Sequence, residues 1–199
     1  MTRILLARHG ETDHNRDEIL QGHTDVDLNE AGREQARRLA EHLAEEDVAA
    51  VYTSDLARAR KTAEIVGVEH GLEPESLQAL RERTYGELEG EPRDTRRDHI
   101  DHPDELDELK PDGGEDVDDV RGRVRPVIND IRREHGGDTV VLVGHGWVNR
   151  AILTAALGAD SGRAHAIRQS NACVNELEYE DYRGWRINRV NDTSHLDAE

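Results

Sequence analysis

The chain has 199 residues, a length that fits one domain with a core of its own. Its 44 acidic and 26 basic residues give a formal net charge of -18, which disfavours nucleic acid and anionic membranes as partners, because binding to them relies on neutralising phosphates. A single cysteine, Cys173, excludes an intramolecular disulfide, and no apolar run reaches the roughly 18 residues of a transmembrane helix, so we expect a cytoplasmic protein.

The composition also indicates the salt concentration at which the protein works. Only two of the basic residues are lysines, phenylalanine is absent and the hydrophobic fraction is 35%. High charge with few aromatic residues is typical of disorder, but apolar residues at regular spacing argue against it here. We interpret the acidity as an adaptation to a salt-rich cytoplasm (a halophilic composition), since the Debye length falls to roughly 3 Å near 1 M salt.

The first half of the chain alternates apolar runs typical of strands with segments of helical periodicity. Three short runs predict buried strands, over residues 3–7, 49–53 and 77–80. One helix is predicted over residues 30–43 with Asn29 as its N-cap. A second is predicted to follow a cap at Ser54 and to end at Gly67 or Gly71.

The second half resumes this alternation after a polar, proline-containing stretch over residues 91–116, which predicts a loop-rich insertion. Periodicity then predicts helices over residues 117–135 and 147–157, and strands over 138–143, 174–179 and 185–190. Alternating β and α elements imply an α/β fold, a three-layer α/β/α sandwich with a mostly parallel central sheet. We expect a single domain over residues 1–190 and a flexible tail over 191–199.

Two predicted strands end in a histidine with glycine beside it: Arg8-His9-Gly10 and Gly144-His145-Gly146. In open α/β sheets ligands collect beyond the carboxyl ends of the strands, and glycine lets the backbone approach them closely. A neutral imidazole there can act as a nucleophile when its other nitrogen is held by a hydrogen bond. Either histidine alone could stand at a strand end by chance, so the combination is the stronger signal.

Further motifs follow in order along most of the chain. Those in the first third are Leu6-Ala7-Arg8-His9-Gly10-Glu11-Thr12 with Asn15, Gln21-Gly22-His23-Thr24-Asp25, and Ser54-Asp55-Leu56-Ala57-Arg58-Ala59. Those that follow are Leu80-Arg81-Glu82-Arg83 with Tyr85-Gly86, Gly113-Gly114-Glu115, and Val143-Gly144-His145-Gly146. Together they resemble the signature of the histidine phosphatase superfamily, which includes the cofactor-dependent phosphoglycerate mutases. The resemblance implies a phosphoglycerate mutase-like catalytic domain.

The resemblance also implies roles for individual residues. His9 corresponds to the nucleophile that accepts the phosphoryl group, and Glu82 to the proton donor. Three side chains would surround the transferred phosphoryl group: Arg8, Arg58 and His145. Further substrate contacts would come from Asn15, Gln21, Gly22, Gly146 and Arg83. No cofactor and no metal ion are implied, since guanidinium groups match phosphate oxygens and stay charged.

Several of these residues also have alternative interpretations. Arg58 falls in a predicted helix with Arg60 and Lys61, and most such charges are simply solvated. Glu82 lies between two arginines, where an exposed ion pair is worth roughly 0–1 kcal/mol. Residues 98–102, with the sequence Asp-His-Ile-Asp-His, suggest a metal site, but their spacing matches no closed zinc pattern.

The short segment between Glu82 and His145 favours a phosphatase over a phosphoglycerate mutase. Mutases of the family carry a longer insertion there, so we expect a phosphatase acting on a small phosphorylated metabolite, although Arg83 and Tyr85 are mutase-like. A phosphoglycerate mutase is the alternative, and a non-catalytic phospho-ligand-binding protein is an alternative of another class. We expect a monomer or a homodimer.

Overall fold

The computed structural model describes residues 1–100 and 109–197 and contains one six-stranded sheet. Its strands are β1 (Thr2–Arg8), β2 (Val48–Thr53), β3 (Glu75–Ser76), β4 (Thr139–Gly144), β5 (Val174–Glu180) and β6 (Gly184–Asp192). The spatial order is β3-β2-β4-β1-β5-β6. The first four strands of this order pair in parallel, and β5 and β6 add an antiparallel edge. The prediction of a mostly parallel central sheet is confirmed.

Five α-helices connect the strands within the described residues. They are α1 (Asp13–Arg16), α2 (Glu30–Leu43), α3 (Ala57–His70), α4 (Val117–Glu134) and α5 (Gly146–Ala156). Asn29 caps α2 through its side chain, which accepts a hydrogen bond from Gly32 N, as the sequence predicts. Asp116 caps α4 in the same way and forms a capping box with Asp119. No helix in the described parts of the chain is long and apolar enough to cross a membrane.

The two faces of the sheet carry separate hydrophobic cores, because successive side chains of a strand point to opposite faces. Leu5 and Ala7 of β1 belong to a cluster with apolar residues of α2 and α3. Ile4 and Leu6 belong to a second cluster with apolar residues of α4 and α5. Helices therefore cover both faces, which is the three-layer α/β/α sandwich that the sequence predicts.

Two local predictions in the first half are wrong. The strand expected over residues 77–80 is instead the two-residue β3, and Gln78–Leu80 forms a 3-10 turn whose Leu80 is fully buried in the core. A short apolar run has the same composition in a buried turn as in a strand. Ser54 is not the cap of α3 either, because the N-cap position is Leu56 and Ser54 Oγ accepts a hydrogen bond from Leu56 N.

The C-terminal residues differ from the expected tail. Strand β6 extends to Asp192, past the expected boundary at residue 190, and a 3-10 turn follows at Ser194–Leu196. That turn lies against α2, where the ring of His195 stacks on His42 and Arg38 Nη1 donates to Leu196 O. Secondary structure and contacts with α2 thus continue as far as residue 196.

The expected insertion begins beside the N-terminal segment. Pro92 forms an isolated β-bridge with Ile19, and Arg93–His99 then forms a 3-10 segment. Residues 101–108 lie outside the described part of the chain, and with them Asp101 and His102 of the possible metal cluster. Among the residues that are described, no group of three or more His, Cys, Asp or Glu side chains could hold a metal ion.

Candidate active site

The two motif histidines meet because their strands are neighbours in the sheet. Strands β1 and β4 pair in parallel with Arg8 opposite Gly144, so His9 and His145 both follow at the same carboxyl edge. His9 N donates to Gly144 O at 3.1 Å, and the two imidazole centroids lie 5.1 Å apart. The sheet alone therefore brings together two residues that are far apart in sequence.

The ring of His9 is fixed in one tautomer. Its Nδ1 lies 2.6 Å from Gly10 O, a carbonyl that can only accept, so Nδ1 carries the proton and Nε2 carries the lone pair. Burial lowers the pKa of His9 well below its usual value, and the nearby charges of Arg8 and Arg58 lower it further. His9 is therefore an oriented, neutral imidazole, the form that a nucleophile requires.

Two buried arginines stand beside this imidazole. Arg8 Nη1 donates to Gln169 O at 2.6 Å. Arg58 Nη1 and Nη2 donate to the carbonyls of Thr24 and Gly22 at 2.9 and 2.8 Å. Burial lowers the pKa of each guanidinium to about 10, so both remain charged at neutral pH. Their Nε atoms have no hydrogen-bond partner within the described residues, so both can still donate to an anion.

The ring of His145 is also without a hydrogen-bond partner among the described residues. It is fully buried at the N-cap of α5, and neither ring nitrogen makes a hydrogen bond with the residues that the structure describes. Burial lowers its pKa well below the usual value, with a further contribution from Arg58. A buried imidazole in this position is explained by a ligand that accepts its hydrogen bond, because buried polar groups are otherwise paired.

Glu82 is held with one carboxylate oxygen occupied. Its Oε1 accepts hydrogen bonds from Arg83 N at 2.9 Å and from Trp147 N at 3.0 Å, the latter in the first turn of α5. The other oxygen, Oε2, lies beside Gly146, where a Cβ atom would stand 3.5 Å from it. This geometry leaves Oε2 to exchange a proton with a ligand in the cleft.

A small first cavity of about 50 Å³ lies beside His9, the two arginines and Glu82, whereas His145 is not part of its lining. It is lined by most of the residues expected at the site, among them Arg8, His9, Asn15, Gln21, Gly22, Arg58 and Glu82. Asn15 Oδ1 accepts a hydrogen bond from Asn171 Nδ2, a residue that the sequence analysis does not identify. The volume suits one phosphoryl group surrounded by donors rather than a whole metabolite.

Glu89 fixes the turn that carries Gln21 and Gly22, and sequence reasoning missed this role. Gly22 has a φ of +50°, a left-handed conformation that favours glycine. The Glu89 carboxylate accepts hydrogen bonds from His23 N, Thr24 Oγ1, Thr84 Oγ1 and Tyr85 N. It thereby holds Gly22 O in place to accept from Arg58.

Arg83 lies elsewhere than the sequence analysis predicts. Its side chain is buried and lines neither this cavity nor the neighbouring one. Arg83 Nε donates to Glu115 O at 2.6 Å, Nη2 donates to Leu109 O, and the guanidinium lies over the ring of Trp147. The guanidinium binds two backbone carbonyls in this structure, and the substrate contact of Arg83 stays a prediction.

A second cavity of about 260 Å³ shares Arg8, Glu82, Tyr85 and Arg93 with the first. It is further lined by Arg96, Gly146, Trp147, Arg150, His165 and Gln169. Of these further residues, Gly146 is the one expected from the sequence. Arg150 could have been found, because it follows Gly146 by four positions and an α-helix places such residues on one face. No sequence signal indicated His165 or Gln169.

An oriented imidazole with two buried cations, a second imidazole and a carboxylate defines a phosphoryl-transfer site in an α/β sandwich. The chain belongs to the histidine phosphatase superfamily, branch 1, whose family model matches residues 4–193. The uncharacterized phosphatase PhoE of Bacillus subtilis is 33% identical over 196 residues, which cover 98% of this chain and 97% of that protein.

A second relative and a solved structure agree with this membership. The phosphoglycerate mutase-like protein 4 of Arabidopsis thaliana is 36% identical over 203 residues, covering 98% of this chain and 86% of that protein. The structure of YhfR from Bacillus stearothermophilus matches with a TM-score of 0.90 at 31% identity, covering 99% of this chain and all of that one. The resemblance found in the sequence is confirmed.

Proposed function

We propose that this protein is a phosphatase that hydrolyses a small phosphomonoester through a phosphohistidine intermediate on His9. The observation that carries the proposal is the neutral imidazole of His9, oriented by Gly10 O and lining a cavity of phosphoryl size between Arg8 and Arg58. Phosphoryl transfer depends mainly on positioning and charge stabilisation, and this cavity supplies both.

The residues divide one difficult reaction into two steps. In the first, His9 Nε2 forms a bond to phosphorus while the ester P–O bond breaks, and protonated Glu82 gives its proton to the departing alkoxide. In the second, water attacks phosphorus, Glu82 accepts a proton from it, and the N–P bond breaks to release phosphate. Arg8 and Arg58 would balance the charge on the phosphoryl oxygens in both steps, and the neutral imidazole of His145 would donate a hydrogen bond to them.

Hydrolysis is preferred to mutase activity because of the short segment between Glu82 and His145. A mutase must keep a phosphorylated intermediate enclosed and return the group to it, and the longer insertion of the mutases serves that purpose. The near full-length match to a relative named as a phosphatase supports the same choice. A non-catalytic binder is disfavoured, because its site would not need an oriented nucleophile together with a proton donor.

The first test is phosphate release in the presence of EDTA. We expect the purified protein to hydrolyse p-nitrophenyl phosphate and at least one phosphorylated metabolite at an unchanged rate after chelation, because arginine side chains supply the positive charge. Interconversion of 2- and 3-phosphoglycerate is measured in parallel. Rapid interconversion without phosphate release would replace the phosphatase by the mutase, and activity restored only by a divalent ion would contradict the metal-independent mechanism.

We further propose that the acidity is an adaptation to a salt-rich cytoplasm. The net charge of -18 already counts every arginine and lysine, so exposed ion pairs such as Arg16–Asp13, in which both side chains are more than half exposed, do not reduce it. Such pairs contribute about 0–1 kcal/mol each, whereas repulsion among the remaining carboxylates reaches over roughly 10–30 Å at low ionic strength.

The melting temperature is therefore expected to rise steadily from dilute buffer to molar KCl, because salt screens repulsion that opposes the compact state. Thermal unfolding at several KCl concentrations measures this, and sucrose controls for osmolyte effects. Activity is expected to follow the folded fraction. A melting temperature that stays flat or falls as KCl rises would refute the salt adaptation.

A further inference from the structure

The chemistry proposed for His9 depends on the peptide group that joins Gly10 to Glu11 (the 10–11 peptide). Its carbonyl oxygen, Gly10 O, accepts the hydrogen bond of His9 Nδ1 at 2.6 Å and so keeps the proton on that nitrogen. If this peptide group rotated, Nδ1 would lose its acceptor and the proton could move to Nε2. A protonated Nε2 has no lone pair for phosphorus, so the groups that orient the 10–11 peptide also control the nucleophile.

The 10–11 peptide lies against the start of α2 with no side chain between the two backbones. A Cβ atom on Gly10 would stand 2.3 Å from Gly32 O, and one on Gly32 would stand 2.0 Å from Glu11 O. Glycine at both positions therefore permits the contact. Gln35 follows Gly32 by three positions, so both lie on the face of α2 that meets this loop.

The N–H end of the 10–11 peptide is held by Gln35. Glu11 N, the nitrogen of this peptide group, donates to Gln35 Oε1 at 2.9 Å. The side-chain oxygen of Gln35 can only accept, so this bond fixes the direction in which the peptide N–H points. Because a peptide group is planar, the direction of its carbonyl is restrained at the same time.

The carbonyl end of the same peptide is held by Asn171. Its Nδ2 donates to Gly10 O and His9 O, each at 3.2 Å, and to Asn15 Oδ1 at 3.1 Å. An amide nitrogen has two protons, so at least one of them is shared among these three acceptors. Two of the acceptors are backbone carbonyls, which cannot donate. Position 171 therefore requires a donor, whereas position 35 requires an acceptor.

The turn that carries Asn171 is itself held in an unusual conformation. Ala172 has a φ of +53°, in the left-handed region that is uncommon for alanine. Its N–H donates to His9 O at 3.1 Å, and its carbonyl accepts from His195 Nε2 at 3.0 Å, in the C-terminal 3-10 turn. Such strain persists where surrounding contacts impose it, and it is often found at functional sites. Here it brings Asn171 to the carbonyls of the nucleophile loop.

We propose that Asn171 and Gln35 are positioning residues for the nucleophile: they hold the 10–11 peptide from its two ends and thereby keep the proton of His9 on Nδ1. Neither side chain lines the first or the second cavity, so both act through the peptide rather than on the substrate. The inference rests on the proposed phosphatase activity and adds to it the residues that select the reactive tautomer.

Single-turnover kinetics test the role of Asn171. With enzyme in excess over p-nitrophenyl phosphate, rapid mixing measures the rate constant for phosphorylation of His9, and its dependence on enzyme concentration gives the affinity. Asn171→Leu and Asn171→Asp, which both lack the donor, are expected to lower this rate constant at least about tenfold. The affinity should change less than about threefold, because Arg8 and Arg58 keep their own carbonyl partners.

The same amide-to-carboxylate change at position 35 is expected to have the opposite result. Gln35→Glu keeps an acceptor for Glu11 N and should retain at least about half of the phosphorylation rate, whereas Gln35→Met removes it and should slow the reaction about fivefold. Asn188→Asp is the matched control for added charge, since Asn188 is exposed on β6 and lines neither cavity.

The tautomer of His9 gives a readout that needs no activity. In protein with ¹⁵N-labelled histidine, the ring signals of His9 are identified by their absence in His9→Ala. NMR correlations between ring protons and ring nitrogens then show which nitrogen is protonated. We expect the proton on Nδ1 in the wild type and a population with the proton on Nε2 in Asn171→Leu and, to a smaller extent, in Gln35→Met.

The outcomes separate this inference from the proposed function. Phosphorylation at the wild-type rate in both Asn171 variants would overturn it, and so would equal slowing by Gln35→Glu and Asn171→Asp. A slower reaction with the His9 tautomer unchanged would also overturn it, because Asn171 would then only support the fold. If the Asn171 variants do not fold, Gln35→Met and Gln35→Glu decide. If the wild type releases no nitrophenolate, the proposed phosphatase fails, and the tautomer spectra alone decide the inference.

Discussion

Replacement of His9 by alanine is expected to lower kcat for every phosphomonoester by roughly 10⁴-fold or more, the scale of loss when a covalent nucleophile is removed. The tautomer of the His9 imidazole is fixed by a hydrogen bond, because Nδ1 is held by Gly10 O. Its depressed pKa keeps Nε2 unprotonated at pH 7. No side chain of the cavity could replace it, since arginine is not nucleophilic and Glu82 is already needed for proton transfer.

The intermediate provides a second readout for the same variant. Brief incubation with ³²P-labelled substrate is expected to label the wild-type protein with an acid-labile, base-stable bond and to leave His9→Ala unlabelled. His42→Ala serves as the matched control, because that histidine is exposed on α2 and lines neither cavity. Full turnover in His9→Ala, or a label that persists in it, would rule out this mechanism.

Much of this site follows from the sequence because strand ends determine where side chains meet. His9 and His145 could be placed at one edge of the sheet in advance, since each follows an apolar run predicted as a strand, and parallel strands share their carboxyl edge. The helix over residues 30–43 was predictable for a similarly local reason, as its cap Asn29 shows. The predicted roles of Arg58 and Glu82 required the family resemblance, because their local sequence is typical of solvated charges.

The remaining parts of the site depend on contacts between distant segments, which no local pattern encodes. Arg83 and Arg150 are both arginines beside motif residues, yet tertiary packing places the first against Trp147 and the Glu115 carbonyl and the second in the second cavity. Gln169 is fixed by a network of buried side-chain amides with Asn149 and Asn175. Such networks form only once α5 and β5 have packed together.

The substitution Glu82→Gln is expected to slow hydrolysis according to the leaving group. The Gln side-chain oxygen can still accept from Arg83 N and Trp147 N, so the fold and the position of the side chain should be retained. The amide cannot give a proton to an alkoxide, and general acid catalysis contributes roughly 10²–10⁴-fold. The rate at which sugar and glycerate esters phosphorylate His9 should therefore fall by that factor. The rate with p-nitrophenyl phosphate, whose phenolate leaves unprotonated, should fall less than about tenfold.

The measurement must isolate the first step, because water attack on the phosphohistidine also uses Glu82. Rapid mixing with p-nitrophenyl phosphate is expected to show a burst of nitrophenolate close to one equivalent of Glu82→Gln enzyme, followed by slow turnover as the phosphohistidine accumulates. In a single-turnover experiment on the same timescale, an alkyl ester should not phosphorylate His9 of the Glu82→Gln enzyme to a comparable extent. Glu87→Gln is the matched control, since that carboxylate is exposed and lines neither cavity. Equal slowing of phosphorylation by both kinds of ester would remove Glu82 from the acid role and leave it as a residue that merely positions α5.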